Sequence, residues 1–347
     1  MRTVRVFRRG DVLSAPFFAV SFLSAVLFVA AQPAGHATIS PPRTRSFHLV
    51  YRTVVKNIPA EARQVQVWVP LPHDDDYQKI SNLRIDSPQP YSITRSSAGN
   101  TMFHVAVDAP KDRTFAIVMS LDATRKEHIQ SRLFTGPSLP HDEDPKDLAR
   151  YLKPDRLVPL DDQIRSWARD VVVKANAHTD LEMARAIYNH VVSTVKYDKT
   201  GKGWGRGDIY YACQERRGNC TDFHAIFIGY SRALGIPARF AIGLPLPADR
   251  GEGTIAGYHC WAEFYAKGIG WVPVDASEAA KNPAKREYFF GAHDENRIEF
   301  SKGRDVVLAP GQAGEPLNYF INPYGEADGR SLEGIESQVS YRDASPR

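Results

Sequence analysis

Three residues in the second half of the chain have the side chains that a cysteine nucleophile requires. Cys220 is followed along the chain by His259 and then by Asp275. A cysteine attacks a carbonyl carbon as the thiolate, and because a free thiol titrates at about pH 8.5 it must be activated. A histidine can accept the thiol proton, and an aspartate bonded to the other ring nitrogen can hold the required tautomer. These residue types, in this order, predict acyl transfer at Cys220.

The segments around the three residues predict elements that would bring them together. Cys220 opens a stretch with the apolar periodicity of an α-helix, and the unpaired N–H groups and dipole of a helix N-terminus favour a thiolate. Segments 259–265 and 271–274 are typical of strands, and the glycine-containing turn between them predicts a hairpin. His259 and Asp275 would then lie on adjacent strands, where their side chains can meet.

Acyl transfer also requires hydrogen-bond donors for the oxyanion, and the loop before Cys220 offers two side-chain candidates. Gln214 is one, and the indole N–H of Trp204 is the other. The backbone N–H of Cys220 is a third candidate. Each side chain has a structural alternative, because Gln214 could be a solvated loop residue and Trp204 could anchor the loop or form a platform for the substrate.

No cofactor is predicted, and a metal site is an alternative use of the same side chains. Four residues could in principle coordinate a metal ion, namely Cys220, Asp222, His224 and His259. Zinc sites usually show a compact pair of ligands plus a second pair, whereas Asp222 and His224 would point in different directions on a helix. Taken singly, Cys220 could also be a small buried residue, His259 a core histidine and Asp275 a helix cap.

Composition and patterning predict two globular domains. The chain has 347 residues, 43% of them apolar, and its net charge of +4 is too small to argue for nucleic-acid binding. Short alternating segments predict a small antiparallel β-sandwich over residues 45–128, followed by a polar, proline-rich linker at 129–158. A catalytic domain is expected at 159–309 and a C-terminal extension at 310–347. The segments read as strands in the sandwich are 47–51, 65–69, 102–107 and 115–119.

The N-terminus predicts export. Arginines among the first nine residues precede an uncharged stretch from Val12 to Ala31, and small residues permit cleavage after Ala31 or Ala37. This pattern is typical of a signal peptide within residues 1–37, but an uncleaved anchor is the alternative because about 20 apolar residues span a bilayer. We therefore expect a periplasmic or extracellular protein that contacts a membrane only through this segment if it is uncleaved.

Three cysteines in an exported chain do not form a disulfide scaffold. Cys213 and Cys260 could pair in an oxidising compartment, or both could be small buried residues with free thiols. The odd count leaves at least one thiol free for chemistry, in agreement with the role predicted for Cys220.

The segment that contains these residues resembles the transglutaminase-like superfamily, which shares the papain-type cysteine protease fold. Four blocks carry the resemblance in order over residues 160–280: Gly218-Asn219-Cys220-Thr221-Asp222-Phe223, Arg232-Ala233-Leu234-Gly235-Ile236-Pro237-Ala238-Arg239, Tyr258-His259-Cys260-Trp261-Ala262-Glu263 and Trp271-Val272-Pro273-Val274-Asp275. By that resemblance Cys220 is the nucleophile, His259 the base and Asp275 the orienting acid. The strand domain resembles the N-terminal sandwich of bacterial members, and residues 282–328 resemble a tail of exported relatives to which no role is assigned.

The expected fold class is therefore α+β, a papain-like or transglutaminase-like cysteine-enzyme core preceded by a small antiparallel β-sandwich. The expected function is thiol-dependent acyl transfer at an amide bond of a protein or peptide substrate. The acyl-enzyme could pass to water, as in a cysteine protease or amidase, or to an amine, as in a transglutaminase, since the triad is common to both. The competing hypothesis is a non-catalytic binding or assembly module of the cell envelope on the same fold.

Overall fold

Alternating apolar side chains form the longer strands, and apolar stripes at helical spacing form the longer helices. The computed structural model describes residues 41–136 and 142–344. Its strands are, in chain order, β1 (Thr44–Val55), β2 (Gln64–Pro70), β3 (Gln78–Asp86), β4 (Tyr91–Arg95), β5 (Thr101–Asp108), β6 (Phe115–Lys126), β7 (His128–Ile129), β8 (Lys196–Tyr197), β9 (Arg217–Gly218), β10 (Ala238–Pro245), β11 (Glu252–Ile255), β12 (His259–Ala266), β13 (Gly270–Val274), β14 (Ala292–His293), β15 (Arg297–Lys302), β16 (Tyr324–Ala327), β17 (Arg330–Ser331) and β18 (Ile335–Asp343). Its α-helices are α1 (Arg132–Thr135), α2 (Pro145–Leu148), α3 (Asp162–Lys174), α4 (Asp180–Thr194), α5 (Ile209–Glu215), α6 (Cys220–Ala233) and α7 (Ala276–Lys281), with short 3-10 helices at Ala149–Leu152 and Pro283–Lys285.

Two five-stranded antiparallel sheets form the β-sandwich, with strand orders β11-β18-β1-β6-β3 and β17-β16-β2-β5-β4. Along β1 buried and exposed residues alternate, so that Phe47, Leu49 and Tyr51 are buried. Each such side chain contributes about 1.5–3 kcal/mol when it is fully buried. Most buried apolar residues of the two sheets belong to one cluster, whereas Trp68 and Met102 belong to a second, smaller one. All four strand segments predicted in this region are present.

The end of the chain supplies strands to both sheets of the sandwich. Sequence analysis placed the sandwich within residues 45–128 and treated 310–347 as an extension. In the structure, β18 lies between β1 and β11 in one sheet, and β16 pairs with β2 in the other. The physical reason is that β1 and β2 each need a second hydrogen-bonded neighbour, and only distant segments of the chain provide one.

The core that carries Cys220 packs helices on a four-stranded antiparallel sheet with the order β13-β12-β10-β15. Helix α6 is the centre of this layer, and every residue from Cys220 to Arg232 is buried. It contacts the sheet as well as α3, α4 and α5. The helix ends just before Gly235, which has φ +84°, a conformation that glycine adopts without strain. This architecture confirms the predicted α+β fold class.

Residues 129–158, expected as a linker, lie against the core where the structure describes them. β7 pairs with β14, and the Gln130 side chain donates a hydrogen bond to the carbonyl of Trp271 (2.9 Å). The Glu143 carboxylate accepts one from the Trp271 indole (2.7 Å). Pro42–Arg347 accordingly form one compact unit.

Within the described ranges, no helix is long and apolar enough to cross a membrane. The segment predicted to direct export, residues 1–37, lies outside the residues that the structure describes.

Candidate active site

The N-terminus of α6 is held by reciprocal capping bonds, and Cys220 is its first residue. The Asn219 side chain accepts a hydrogen bond from the backbone N–H of Thr221 (2.9 Å), and the Asp222 carboxylate accepts one from the backbone N–H of Asn219 (2.9 Å). These bonds fix the first turn of the helix. They place Cys220 at a helix end whose unpaired N–H groups and dipole favour negative charge.

His259 and Asp275 lie side by side at the end of the hairpin formed by β12 and β13. Nε2 of His259 is 2.7 Å from Oδ2 of Asp275, and both side chains are buried. The other oxygen of Asp275 accepts hydrogen bonds from the backbone N–H of Glu278 (3.0 Å) and the hydroxyl of Ser277 (3.1 Å). Asp275 therefore caps α7 with one oxygen and contacts the imidazole with the other. The two roles considered for this residue, a helix cap and a partner of His259, are thus compatible.

The three candidate residues form a charged unit. Burial favours the neutral Cys220 thiol, but hydrogen bonds from Cys260 and His259 outweigh it and hold the pKa of Cys220 well below its usual range. Burial also works against the imidazolium, yet the charge and hydrogen bond of Asp275, together with Cys220, raise the pKa of His259 to about 10. Despite its burial, the pKa of Asp275 is held well below its usual range by His259 and Arg297. The arrangement corresponds to a thiolate–imidazolium pair oriented by a carboxylate.

Arg297, which sequence reasoning did not single out, is the second partner of Asp275. Its guanidinium donates to Oδ2 of Asp275 (3.0 Å) and to Asp294 (3.2 Å), and it lies over the ring of Trp261 (5.1 Å to the centroid). The guanidinium is buried and balances a carboxylate that would otherwise lie uncompensated beside the imidazole whenever the imidazole is neutral. The only signal in the sequence was its place in the block 295–297 of the tail that resembles exported relatives.

His224 and Cys260 are buried next to the same site. Nε2 of His224 accepts a hydrogen bond from the backbone N–H of Ala276 (3.2 Å), and its Nδ1 is 3.7 Å from the sulfur of Cys260. Burial lowers the pKa of His224, which favours the neutral ring. Both nitrogens of this ring are engaged within the protein, which argues against the metal alternative. In the described part of the chain, no group of three or more His, Cys, Asp or Glu side chains is arranged to hold a metal ion.

Asp222, another member of that alternative, fastens the loop that precedes Cys220. Its two carboxylate oxygens accept hydrogen bonds from the backbone N–H groups of Gly205 (2.7 Å) and Gly207 (3.0 Å), in addition to the capping bond from Asn219. One side chain therefore fixes both the start of α6 and the loop beside it.

Residues from the C-terminal third hold the same loop from the other side. Arg304 donates to the carbonyls of Gly207 (2.7 Å) and Arg206 (2.8 Å), and the Asn318 amide donates to the carbonyl of Arg206 (2.8 Å). The Tyr319 hydroxyl donates to the carbonyl of Gly205 (3.3 Å). The tail to which the sequence assigned no role thus stabilises the surroundings of Cys220.

The two predicted oxyanion donors occupy different environments. Trp204 is half-buried and directly precedes Gly205, so the bonds to Asp222 keep it close to the N-terminus of α6. Gln214 is exposed near the end of α5. The role of each in binding an oxyanion stays a prediction.

All three thiols of the protein are free. Cys213 on α5 is 3.3 Å from the hydroxyl of Tyr230, while Cys260 lies beside the candidate site. The disulfide considered for Cys213 and Cys260 is therefore not formed. Burial raises the pKa of Cys213 to about 11, the reverse of the shift at Cys220.

Comparisons with known proteins agree with this geometry. Residues 165–276 match the family model described as transglutaminase-like superfamily. A protein from Haemophilus influenzae, described as uncharacterized, is 26% identical over 309 residues, which cover 79% of this chain and 83% of that protein. The structure of a candidate cysteine protease from Cytophaga hutchinsonii has 16% sequence identity and a TM-score of 0.59 over 88% of this chain and 92% of that one, a likeness that shows the fold. Residues 165–276, which contain Cys220, His259 and Asp275, are thus similar to the transglutaminase-like superfamily.

Proposed function

We propose that the protein is a thiol-dependent enzyme that transfers an acyl group from an amide of a protein or peptide, with Cys220 as nucleophile. The observation that carries the proposal is the buried His259–Asp275 pair, 2.7 Å apart, beside a cysteine at a capped helix N-terminus. The similarity of residues 165–276 to the transglutaminase-like superfamily supports it, because the three residues lie within the matched segment. Each has the position that the resemblance assigns to nucleophile, base and orienting acid.

The chemistry follows from the charges of the pair. The Cys220 thiolate attacks the amide carbonyl carbon and forms a C–S bond, while the developing oxyanion is bound by the backbone N–H of Cys220 and by Trp204. The His259 imidazolium gives its proton to the amide nitrogen as the C–N bond breaks and the amine leaves. Water or a second amine then attacks the thioester, His259 takes the proton of the attacking group, and the C–S bond breaks to restore the thiolate.

An assay that offers both water and an amine identifies the acyl acceptor. The protein is incubated with a peptide library and a denatured protein mixture, with and without a fluorescent primary amine. Incorporation of the amine indicates a transferase, and free carboxylate as the sole product indicates a hydrolase. Either product must disappear in Cys220→Ala and persist in the matched control Cys213→Ala, which removes a thiol outside the site. Absence of both products in the unaltered protein would favour the non-catalytic envelope module instead.

We further propose that the protein acts outside the cytoplasm. The support is the basic and then uncharged pattern of residues 1–37, which is typical of export. A fusion of residues 1–45 to a reporter enzyme that is active only after export should be active, and the same fusion without residues 12–31 should not. Equal activity of the two fusions would contradict the proposal.

A further inference from the structure

A second candidate site lies where the sandwich meets the core sheet. It is a cavity of about 310 Å³ lined by residues of β6, β7, β10, β12, β13 and β15, and Cys220 is not among them. On β12, Phe264 packs against Phe227 of α6, so the neighbouring Glu263 points to the opposite face of the sheet and lines the cavity. Asp76 at its edge is exposed, so the cavity is open to solvent. Its size lies at the lower end of small-molecule sites, which are about 300–1,000 Å³.

The first indication of a ligand is an unpaired guanidinium. Arg125 on β6 lines the cavity and is 2% exposed. Its Nε and Nη1 atoms have no hydrogen-bond partner among the described residues, and the nearest carboxylate oxygen, on Asp75, is 3.7 Å from Nη1. A buried donor without a partner destabilises the fold, and a charged one does so more strongly. The arrangement therefore provides a binding position for an anionic group.

The second indication is a buried carboxylate oxygen on the facing strand that accepts no hydrogen bond from the described residues. Glu299 on β15 also lines the cavity and is 2% exposed. Its Oε1 has no hydrogen-bond donor among the described residues, although the Lys302 ammonium is 3.1 Å away in a direction unsuited to a hydrogen bond. The same cavity therefore provides an acceptor for a cationic N–H group.

The remaining charges exclude a ligand of large net charge. The basic residues that line the cavity are Arg125, Arg132, Arg239 and Lys302, and the acidic ones are Asp75, Asp76, Glu143, Glu263 and Glu299. Arg239 and Glu263 are paired at 2.6 Å, so they satisfy each other. Four cations and five carboxylates nearly cancel, and complementarity then favours a molecule that carries one charge of each sign.

Aromatic rings give the cavity apolar walls. Tyr77 stacks on His128 with ring centroids 3.6 Å apart, and Tyr265 meets Trp271 edge to face at 5.6 Å. All four line the cavity. Burial lowers the pKa of His128 to about 3, so this ring is neutral. These rings form the apolar part of a wall that also carries nine charged side chains.

We propose that this cavity binds a small zwitterion with the chemistry of an α-amino acid, its carboxylate on Arg125 and its ammonium on Glu299. Two kinds of molecule carry such a carboxylate and ammonium together, namely a free amino acid and a short peptide with charged termini. The proposal is independent of the activity proposed for Cys220, since no residue of that site lines the cavity.

The test is ligand-observed NMR on the full protein with each of the twenty standard L-amino acids and with the dipeptide Ala-Ala. At least one of these probes should bind saturably, and removal of either of its charges should weaken binding by about tenfold or more. The analogues are the amide and the N-acetyl derivative of the tightest probe. A tighter dipeptide would assign the ligand to peptide termini, and a tighter amino acid to the free form.

Variants locate the binding. Arg125→Met should abolish it, while the matched control Arg52→Met, at an exposed position of β1, should leave it unchanged. Glu299→Gln keeps the shape of the side chain and decides the question if Arg125→Met does not fold, because it should weaken binding by about tenfold. The proposal is overturned if no probe binds, which would mean a cavity filled by water. It is equally overturned if Glu299→Gln binds as tightly as the unaltered protein, or if the amide binds as tightly as the free acid.

Discussion

At Cys220, burial and hydrogen bonding shift the pKa of one thiol in opposite directions, and hydrogen bonding prevails. The outcome depends on His259, whose pKa is raised to about 10 by Asp275 and by the thiolate itself. Between the lowered pKa of the cysteine and the raised pKa of the histidine, both groups are charged. The charged pair is lost in acid, when the thiolate takes a proton, and in base, as the pH passes the pKa of His259.

Alkylation by iodoacetamide should report this charged pair. The labelling rate of Cys220 should change little between pH 8 and pH 6, whereas that of Cys213, with a pKa raised to about 11, should fall about tenfold per pH unit. Peptide mass spectrometry resolves the two sites. Because the two thiols differ in exposure, the comparison is between the slopes of their labelling rates against pH and not between the rates themselves. In His259→Asn the pKa of Cys220 should rise, so labelling at pH 6 should drop about tenfold or more. Equal slopes for the two thiols would contradict the assignment of Cys220.

The element boundaries at Cys220, His259 and Asp275 could be predicted because local sequence signals mark each of them, and the catalytic role of the three residues stays a prediction. Arg297 could not, because its meaning depends on an ion pair with Asp275, 22 residues away and on another element. No local pattern in the sequence distinguishes Arg297 from any other arginine at the start of a strand.

The importance of that ion pair should appear in stability. Arg297→Met removes the buried guanidinium that Asp275 and the partly buried Asp294 share, and loss of one partner of a buried pair costs about 3–5 kcal/mol. The control is Arg342→Met, which breaks an exposed pair with Glu252 of 2.7 Å and should cost under about 1 kcal/mol. Urea unfolding at 25 °C measures both changes in the free energy of unfolding. Similar losses in the two variants would show that Arg297 is dispensable to the fold.

At the scale of elements, the start of α6 requires glycine at position 218. Gly218 has φ +155°, and a Cβ added there would lie 2.1 Å from the Asp222 carboxylate. That carboxylate is the acceptor for Gly205 and Gly207 in the neighbouring loop, so any shift of it loosens both elements. The glycine before Asn219 in the sequence block is thus explained by close approach of a side chain.

Gly218→Ala should therefore act on the loop as well as on the helix. We expect the free energy of unfolding to fall by about 1–3 kcal/mol, as for overpacked sites, and the amides of Gly205 and Gly207 to exchange hydrogen faster. Gly253→Ala is the control, since an added Cβ there meets its nearest atom at 3.7 Å. Unchanged exchange at residues 205 and 207 would mean that the Asp222 carboxylate is not the link between loop and helix.

Most elements of the core were predictable, and the contacts between its loop and the tail were not. Helix α6 and strands β12 and β13 carry their periodicity and their turn residues in a few consecutive positions. The bonds from Arg304 and Tyr319 to residues 205–207 cross about a hundred residues, and no local pattern encodes such a pairing.

At the scale of the whole molecule, the end of the chain completes one sheet of the sandwich and pairs with the strand that precedes the candidate site. β18 is an interior strand that pairs with β1 on one side and with β11 on the other, and β11 is followed within four residues by His259. Sequence analysis missed β18 because only Val339 and Tyr341 among its nine residues are buried. A strand so largely polar resembles an exposed tail until its partners are known.

Two substitutions on β18 separate an integral strand from a dispensable tail. Val339 is buried and faces Tyr51 on β1 and Ile255 on β11, whereas its neighbour Gln338 is exposed. Val339→Asp buries an unpaired carboxylate and should destabilise the protein by about 3 kcal/mol or more, while Gln338→Asp should stay within about 0.5 kcal/mol of the unaltered protein. Thermal and urea unfolding measure both. Because β11 leads directly to His259, Val339→Asp should also slow the labelling of Cys220 at pH 6. Two equally stable variants would mean that the sandwich folds without its last strand, and the candidate site would then depend on the core sheet alone.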